Sequence, residues 1–329
     1  MTLYFHDYYD GPNATMVALT GIPGKAWIFD NFGTTYVADA RITQKHDKNS
    51  PEIARGQGIF VTSSLDGANS HILISIVFTS NQYNGSTLEI HGRSLQAADV
   101  REVSVVGGTG EFKFARGIAK FETLNVDTST FYALVQYPLV IELVAIDHLP
   151  MAPKSIATLT KLPFLFLLVI FASSQAYEYQ FIETNMTLNF QEYYAGPNAT
   201  VNTLTGIPGN DWAFDSFGTT YVVDDPITQS LDKNSSEIAR GQGIYMTSSL
   251  DGANMQVLIS IVFTSNEYNG STLEIQGRSL QAANVREVSV VGGTGIFKFA
   301  RGIAKFETLN VDTSTFYALV QCDLTVLHY

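Results

Sequence analysis

REVSVVGGTGEFKFARGIAKFETLNVDTSTFYALVQ occupies residues 101–136, and the same segment returns at residues 286–321. One of the 36 positions differs, with Glu111 in the first copy and Ile296 in the second. Runs of β-branched and aromatic residues are bounded here by glycine, asparagine and aspartate, a pattern typical of strands. The segment therefore predicts antiparallel strands, and its recurrence predicts two similar units in one chain.

The repeat extends outward from this segment at a constant offset of 185 residues. GPNAT begins at 11 and 196, FGTTYV at 32 and 217, and ARGQGI at 54 and 239. This period is too long for a solenoid repeat, so it indicates a duplicated domain. We assign copy 1 to residues 1–137, a junction to 138–176 and copy 2 to 177–329.

Strand signals dominate each copy, and helical periodicity is hard to find. In copy 1 we predict strands at 2–9, 26–30, 34–39, 55–64, 71–80, 86–92, 100–106, 112–124 and 130–137. DG and NG pairs between them favour tight hairpin turns, because glycine tolerates positive φ. Eight or nine strands in one copy predict an antiparallel barrel or sandwich, and a closed barrel removes exposed edges.

The junction contains KLPFLFLLVIFASSQA at 161–176. Together with the basic start at 151–154, it has the organisation of a signal peptide. Its apolar run is shorter than the ~20 residues that a membrane helix needs, so we expect no stable membrane span. We interpret the chain as two neighbouring genes, or gene models, joined with a signal left inside. The alternative is a buried hydrophobic linker helix in a true fused protein.

Composition excludes several classes of protein. Hydrophobic residues make up 45% and charged residues 15%, which is incompatible with a disordered chain. The net charge of −12 and the lack of a lysine or arginine cluster argue against a nucleic-acid partner. The single cysteine, Cys322, allows no intramolecular disulfide, and no histidine recurs at the matching position of the other copy. Since no zinc, Walker A or triad motif occurs either, we predict no metal and no cofactor.

Six sequons could carry glycans if the chain enters the secretory route, and their density favours secretion. They begin at Asn13, Asn84, Asn185, Asn198, Asn234 and Asn269.

Alternation suggests which polar residues point inward. In FKFARGIAK, Arg116 is in phase with Phe112, Phe114 and Ile118, which favours a position inside the barrel over an outward position beside exposed phenylalanines. An interior arginine needs a partner, since an unpaired buried charge is costly. Asp39, in phase with Val37, is the candidate. The alternative is a structural ion pair without chemistry.

These residues also carry a resemblance to the dirigent proteins. The matching pieces, in order, are GPNAT, FGTTYV-x-D-x-x-IT, ARGQG, YNGSTLEI, REVSVVGGTG and FKFARGIA, and they cover nearly all of each copy. The resemblance implies an eight-stranded antiparallel barrel, usually trimeric, that is secreted into the plant cell wall (apoplast). It also implies stereoselective coupling of phenoxy radicals, such as those of monolignols, after an oxidase or laccase has generated them, or ring closure through quinone methides.

The resemblance and the chemistry together suggest site residues. A quinone methide must be protonated at its carbonyl oxygen, and a buried carboxylic acid can do this because burial raises its pKa. The family's proposed acid lies in D-D-P, which is Asp224-Asp225-Pro226 in copy 2 and Asp39-Ala40-Arg41 in copy 1. We expect each of two cavities to contain one aspartate and one arginine, Asp39 with Arg116 and Asp224 with Arg301.

Further candidates are weaker. Tyr83 and Tyr268 of YNGS could bind a phenolic ring, or pack as edge tyrosines at a turn. Lignan-forming relatives usually place an aspartate after GGTG, where copy 1 has Glu111 and copy 2 has Ile296. Asp7 of copy 1 and its counterpart Glu192 are the last candidates, and a solvent-facing strand end would explain them as well. Because copy 2 keeps D-D-P intact, we expect it to be the more competent copy.

Two other functions stay open at this point. A non-catalytic barrel could carry a small phenolic, and a cyclase of the allene oxide cyclase type could use the same architecture on a lipid. In every case we expect small-molecule ligands and no oxidation by the protein itself.

Overall fold

The computed structural model describes residues 1–142 and 181–329. The interpretation of 151–176 as a signal lies outside these residues. In the described part no helix is long and apolar enough to cross a membrane.

Each copy folds into its own antiparallel sheet of nine strands. The N-terminal barrel consists of β1 Thr2–Tyr8, β2 Met16–Thr20, β3 Thr35–Thr43, β4 Glu52–Thr62, β5 Asn69–Phe78, β6 Thr87–Leu95, β7 Val100–Thr109, β8 Arg116–Asp127 and β9 Tyr132–Glu142. The C-terminal barrel consists of β10 Ile182–Tyr193, β11 Val201–Thr205, β12 Thr220–Thr228, β13 Glu237–Thr247, β14 Asn254–Phe263, β15 Thr272–Leu280, β16 Val285–Thr294, β17 Arg301–Asp312 and β18 Tyr317–His328. Short 3₁₀ turns follow β5, β7, β14 and β16, at Asn81–Tyr83, Gly110–Phe112, Asn266–Tyr268 and Gly295–Phe297.

Both sheets close into eight-stranded barrels, as predicted. The strand order is β1-β9-β8-β7-β6-β5-β4-β3-β2, and β1 also pairs with β3, so β2 is an extra strand at the edge. β10–β18 repeat this order, with closure between β10 and β12. Each barrel closes with its own strands around its own apolar core. Each therefore has the backbone pairing and the core that it needs to fold separately.

Two details of the predicted strands are wrong. Residues 26–30 form turns and a loop, in which Ile28 is exposed, and the missing strand is β2 at Met16–Thr20. The strand predicted at 112–124 begins only at Arg116, because a 3₁₀ turn precedes it and Phe114 has a φ of 61°. The alternation that we assumed across Phe112, Phe114 and Arg116 is interrupted there.

The two barrels pack against each other through the outer surfaces of their sheets. Leu19, Val37 and Ile59 form one apolar cluster with Met246 of the C-terminal barrel. Further contacts join β7 with β16 and β6 with β15. Part of each sheet therefore has apolar residues on both sides, inward for the core and outward for the neighbouring barrel.

Candidate functional site

The interior of the C-terminal barrel contains a cavity of about 500 Å³. Its wall is mostly apolar and aromatic, and a few polar side chains converge in it, which is the usual composition of a small-molecule site. The residues that matter for its chemistry are Glu192, Tyr194, Tyr245, Arg286 and Thr308.

Two carboxyl groups lie next to each other here: Glu192 lines the cavity, and Asp225 is fully buried beside it, behind the cavity wall. Glu192 follows Leu188 and Phe190 on the inward side of β10, and Asp225 follows Tyr221 and Val223 on the inward side of β12. The pairing of β10 with β12 matches position 189 with 228 and position 190 with 227. Continued by two residues, this register places Glu192 opposite Asp225. Both residues are buried.

Burial makes both groups hard to ionise. Removal from water, followed in importance by the charge of Glu192, raises the pKa of Asp225 to about 8. The pKa of Glu192 is also raised by burial, although hydrogen bonds from two tyrosines and the charge of Arg286 act in the opposite direction. At neutral pH the pair therefore retains a proton, as two adjacent carboxyls in a low-dielectric site do.

Hydrogen bonds give the two acids different environments. Glu192 accepts hydrogen bonds from the hydroxyls of Tyr194 and, at 3.4 Å, Tyr245. Asp225 Oδ1 accepts one from Thr200 at 2.5 Å, whereas its buried Oδ2 has no partner. An unpartnered buried oxygen is costly unless it carries a proton or meets a ligand. Asp225 Oδ2 is thus an atom that can hold the proton of the pair.

Arg286 supplies a positive charge to the same cavity. It lies on β16 in phase with Val288 and Val290, both of which are fully buried, so it also points inward. Its Nη2 donates to Thr308 Oγ1 at 2.9 Å. The remaining donors of its guanidinium can bind a phenolic oxygen, because their fork is planar and fixed.

The N-terminal barrel has a different interior. Tyr137 occupies the position of Cys322, and its buried ring stacks between Phe5 and Phe121 at centroid distances of 4.0 and 5.0 Å. The guanidinium of Arg101, the counterpart of Arg286, lies 4.5 Å over the ring of Phe121. Aromatic side chains therefore fill space that is open in the other barrel.

The acid pair is also incomplete in the N-terminal barrel. Asp7 corresponds to Glu192, and burial raises the pKa of its carboxyl to about 7. The position opposite is Ala40, and Phe60 replaces Tyr245. A single acid therefore remains, without a second carboxyl opposite it and without a counterpart of Tyr245.

The structure does not bring the predicted Asp–Arg pairs together. Asp39 lies on the outer side of β3, where Arg55 Nε approaches its Oδ1 at 2.5 Å and the backbone N–H of Leu250 donates to its Oδ2 at 2.7 Å. Val37 lies on the same outer side, and an apolar residue is found there because the second barrel covers it. The inward orientation expected for Asp39 is therefore wrong, and its phase with an apolar residue has another cause.

Asp224 has the same orientation in the C-terminal barrel. It is an exposed carboxylate 2.6 Å from Arg240 Nε. Partial burial favours its neutral form, but hydrogen bonds from Arg240 and Gln242 outweigh this and hold the pKa of Asp224 below its ordinary value. Of the two D-D-P acids, Asp225 is the one on the inward side of the barrel.

Arg116 and Arg301 also lie outside the barrel interiors. They line a second cavity, at the contact between the barrels, where Arg116 donates to backbone carbonyls of both copies. Burial, and then the charge of Arg301, lower the pKa of Arg116 to about 10. The predicted cavity shared by each aspartate and its arginine is therefore wrong in both copies.

The other candidates lie at strand ends. Tyr83 packs on Phe78 and Phe112 at 5.5 and 5.0 Å, and Tyr268 repeats this arrangement on its own phenylalanines, so both behave as turn tyrosines. Glu111 is exposed in the 3₁₀ turn after β7, and Ile296 is exposed at the matching place. A role for any of the four in the reaction stays a prediction.

Sequence reasoning gave Glu192 little weight and missed Tyr194, Tyr245 and Arg286. For Glu192 and Arg286 the sequence does contain a signal. Glu192 alternates with Leu188 and Phe190, and Arg286 alternates with Val288 and Val290, which is the pattern of polar groups on an inward face.

Comparison with known proteins agrees with this architecture. A sequence model of the dirigent-like protein family matches residues 1–141 and 183–327. Pterocarpan synthase 1 of Glycyrrhiza echinata is 34% identical over 147 residues, which are 44% of this chain and 78% of that protein. Dirigent protein 11 of Arabidopsis thaliana is 32% identical over 137 residues, 41% of this chain and 68% of that protein. A solved pterocarpan synthase dirigent protein shows 34% identity and a TM-score of 0.42, covering 45% of this chain and 86% of its own.

The fold defines a closed antiparallel barrel that is present twice, and the C-terminal barrel has an acidic cavity. The family match spans both barrels, and the chain belongs to the dirigent-like protein family. Its function is accordingly of the dirigent type, the stereoselective control of a reaction.

Proposed function

We propose that the C-terminal barrel closes a ring on a phenolic quinone methide and uses Asp225 as the acid. The observation that carries this proposal is the pair of adjacent buried carboxyls, Glu192 and Asp225, of which Glu192 lines an apolar cavity together with Arg286. Relatives that are pterocarpan synthases by name add support, since a synthase of this family forms a defined product.

The proposed reaction is balanced without any redox step. Asp225 Oδ2 donates its proton to the carbonyl oxygen of the quinone methide, which makes the methide carbon electrophilic. A hydroxyl of the substrate attacks that carbon and forms the new C–O bond, and its proton passes to the carboxylate of Glu192. Proton transfer between the two carboxyls then restores the starting state. The product is an isomer of the quinone methide.

Handedness follows from how the cavity holds the substrate. Arg286 binds a phenolic oxygen at one wall, and the acid pair binds the carbonyl oxygen at another. Two fixed contacts leave one face of the methide carbon open to the hydroxyl. Coupling of two monolignol radicals also yields quinone methides, so the same step serves lignan formation when an oxidase or laccase supplies the radicals.

The test uses the full chain with a laccase and coniferyl alcohol, and a parallel assay with a synthetic quinone methide that carries a pendant hydroxyl. Products are resolved on a chiral column. We expect an enantiomeric excess with the unmodified chain and racemic products with Asp225→Asn or Glu192→Gln. Asp224→Asn is the matched control, because it changes the adjacent carboxylate outside the barrel. Racemic products from Asp224→Asn alone would overturn the assignment of Asp225 as the acid. Ligand binding by the unmodified chain without any enantiomeric excess would indicate that the barrel is a carrier of small phenolics.

We further propose that the protein acts outside the cell, in the plant cell wall, as a glycoprotein. All six sequon asparagines are exposed, which supports glycosylation, and none lines the cavity. Mass spectrometry of the protein purified from apoplastic fluid, before and after removal of N-glycans, tests both points.

A further inference from the structure

Two histidines meet on one side of the N-terminal barrel. His71 lies on β5 and His91 on β6. The register matches Leu73 with His91 and position 71 with position 93, so the two histidines are diagonal neighbours on one side of the sheet. Long side chains reach each other from such positions. The two Nε2 atoms are 2.8 Å apart, and the ring planes meet at 79°.

This histidine pair points away from the barrel core. Ile72 and Ile90, which precede or follow the two histidines in the chain, belong to the apolar core. Alternation along each strand therefore places His71 and His91 on the outer side, where both are partly exposed. The cavity with Glu192 is lined by residues of the C-terminal barrel alone. The pair is thus separate from the proposed reaction site.

The motif search of the sequence did not detect the pair, because the two residues are 20 positions apart. Zinc motifs place their ligands a few residues apart on one local element. Here it is the pairing of two strands that brings the ligands together. The prediction that the chain has no metal site was based on local spacing and did not consider this arrangement.

The distance between the two nitrogens matches one type of metal geometry. Imidazole nitrogens bind first-row metals at about 2.0 Å, so two of them at a right angle in a tetragonal complex lie about 2.8 Å apart. A tetrahedral ion would need about 3.3 Å between them. The observed distance of 2.8 Å is that of the tetragonal case, which Cu²⁺ prefers. Without a metal, the same distance allows one neutral ring to donate a hydrogen bond to the other.

Water can reach the other coordination positions. The residue matched with His91 on the next strand is Ser104, which is exposed. Among residues 1–142 and 181–329, no group of three or more histidine, cysteine, aspartate or glutamate side chains could hold a metal. The protein would therefore supply two imidazoles, and water the remaining ligands. The net charge of −12 also favours the approach of a cation.

The C-terminal barrel has a different pair at the same positions. Gln256 and Gln276 correspond to His71 and His91. Gln256 Oε1 accepts a hydrogen bond from Ser75 of the other barrel at 2.9 Å, and Gln276 Nε2 donates to a backbone carbonyl of that barrel at 3.5 Å. Both positions thus differ together, with buried amides in one copy and partly exposed imidazoles in the other. Since amides are poor ligands for Cu²⁺, the chain has this pair of ligands once.

We propose that His71 and His91 form a binding site for one divalent copper ion, with two imidazole nitrogens at adjacent positions of a tetragonal complex. Nitrogen ligands bind Cu²⁺ more tightly than Ni²⁺ or Zn²⁺. The two ligands are held by neighbouring strands of a closed barrel, so they are already close together before the metal arrives. Binding here is independent of ring closure in the other barrel.

The test titrates Cu²⁺ into the full chain and, in parallel, Zn²⁺. Isothermal titration gives the number of ions and their Kd, and electron paramagnetic resonance of the bound copper counts the coordinated nitrogens. We expect one tightly bound Cu²⁺ per chain, a tetragonal spectrum with two imidazole nitrogens, and binding of Zn²⁺ that is at least about tenfold weaker. Failure to bind copper, or a spectrum of oxygen ligands alone, would overturn the proposal.

Variants of the full chain locate the ion. His71→Gln and His91→Gln introduce the residues that the C-terminal barrel has at the same strand positions, so the fold should accommodate them. Each should weaken Cu²⁺ binding at least about tenfold and reduce the nitrogen count from two to one. His46→Gln is the control, because it removes a histidine that is exposed and lies outside the pair.

Thermal unfolding provides a second measurement. Without metal, all three variants should unfold at nearly the temperature of the unmodified chain, which checks their folding. Cu²⁺ should raise the Tm of the unmodified chain and of His46→Gln, since a ligand of the folded state stabilises it, and should raise it less in the two pair variants. Equal copper binding by His71→Gln and His46→Gln would contradict the proposed site.

Discussion

The two barrels share strand order and register, yet their interiors differ at four positions that decide the chemistry. Asp7, Ala40, Phe60 and Tyr137 in the first stand where Glu192, Asp225, Tyr245 and Cys322 stand in the second. Strand pairing depends on the backbone and on the alternation of apolar residues, which both copies keep. A barrel can therefore lose a reaction cavity without losing its fold.

The largest effect should come from filling the second cavity as the first is filled. Cys322→Tyr places a ring between Phe190 and Phe306, as Tyr137 lies between Phe5 and Phe121. We expect binding of a phenolic ligand to weaken by at least about a hundredfold, because cavity volume is removed rather than a single contact. Isothermal titration measures it. Cys322→Ala is the control and should bind normally; unchanged binding by Cys322→Tyr would place the ligand elsewhere.

The reverse exchange should open the first barrel. The double variant Ala40→Asp, Tyr137→Cys restores the acid opposite Asp7 and removes the stacked ring. We expect the number of ligands bound per chain to rise from one to two, since the strands already have the required register. Either single change should leave the number at one. A count of two in the unmodified chain would show that Tyr137 does not block the barrel.

The pH dependence of stability should distinguish the two barrels less strongly than the cavity exchanges do. The pKa of Asp225 is raised in the folded state, so folding retains a proton that the unfolded chain releases, and stability falls as pH rises from about 4 to about 8. Asp225→Asn should remove part of this slope, with a change in Tm on the order of 5 °C across the range. Differential scanning calorimetry at several pH values tests this. Stereoselectivity should be lost above about pH 8, as Asp225 ionises.

The smallest effect concerns the tyrosine that the first barrel lacks. Tyr245→Phe removes a long hydrogen bond of 3.4 Å to Glu192 and leaves Tyr194 in place. We expect the rate of ring closure to fall by roughly two- to fivefold, the range of one weak hydrogen bond. Phe60→Tyr in the first barrel is the matched control and should not change the rate. A loss above a hundredfold would mean that Tyr245 itself transfers a proton.

The sequence predicted the barrels well because alternation and turn residues are local properties. The sequence did not predict the site correctly. Alternation shows which residues share a face of a strand, but it does not show whether the barrel core or a neighbouring barrel covers that face. Val37 and Ile303 are apolar because the other barrel covers them. Their apolar character led us to place Asp39 and Arg301 on the inward side, which is wrong. Asp225 was named but not distinguished from Asp224, although Tyr221, Val223 and Asp225 are in phase with the core.

The near-identity of residues 101–136 and 286–321 also affects how the chain folds. β1 must find β9 across more than a hundred residues, and loop closure of this length makes such barrels slow to complete. Tyr132–Gln136 in β9 and 317–321 in β18 have the same sequence, so over these residues either strand satisfies β1 equally. Which of the two strands pairs with β1 therefore depends on the residues after this segment, the first of which is Tyr137 in β9 and Cys322 in β18. It also depends on the order of synthesis, because β9 is made before β18. We therefore expect strand exchange between the copies to be the main misfolded state of this chain, and we expect the side chain of Tyr137, which fills the first barrel, to favour the correct partner for β1.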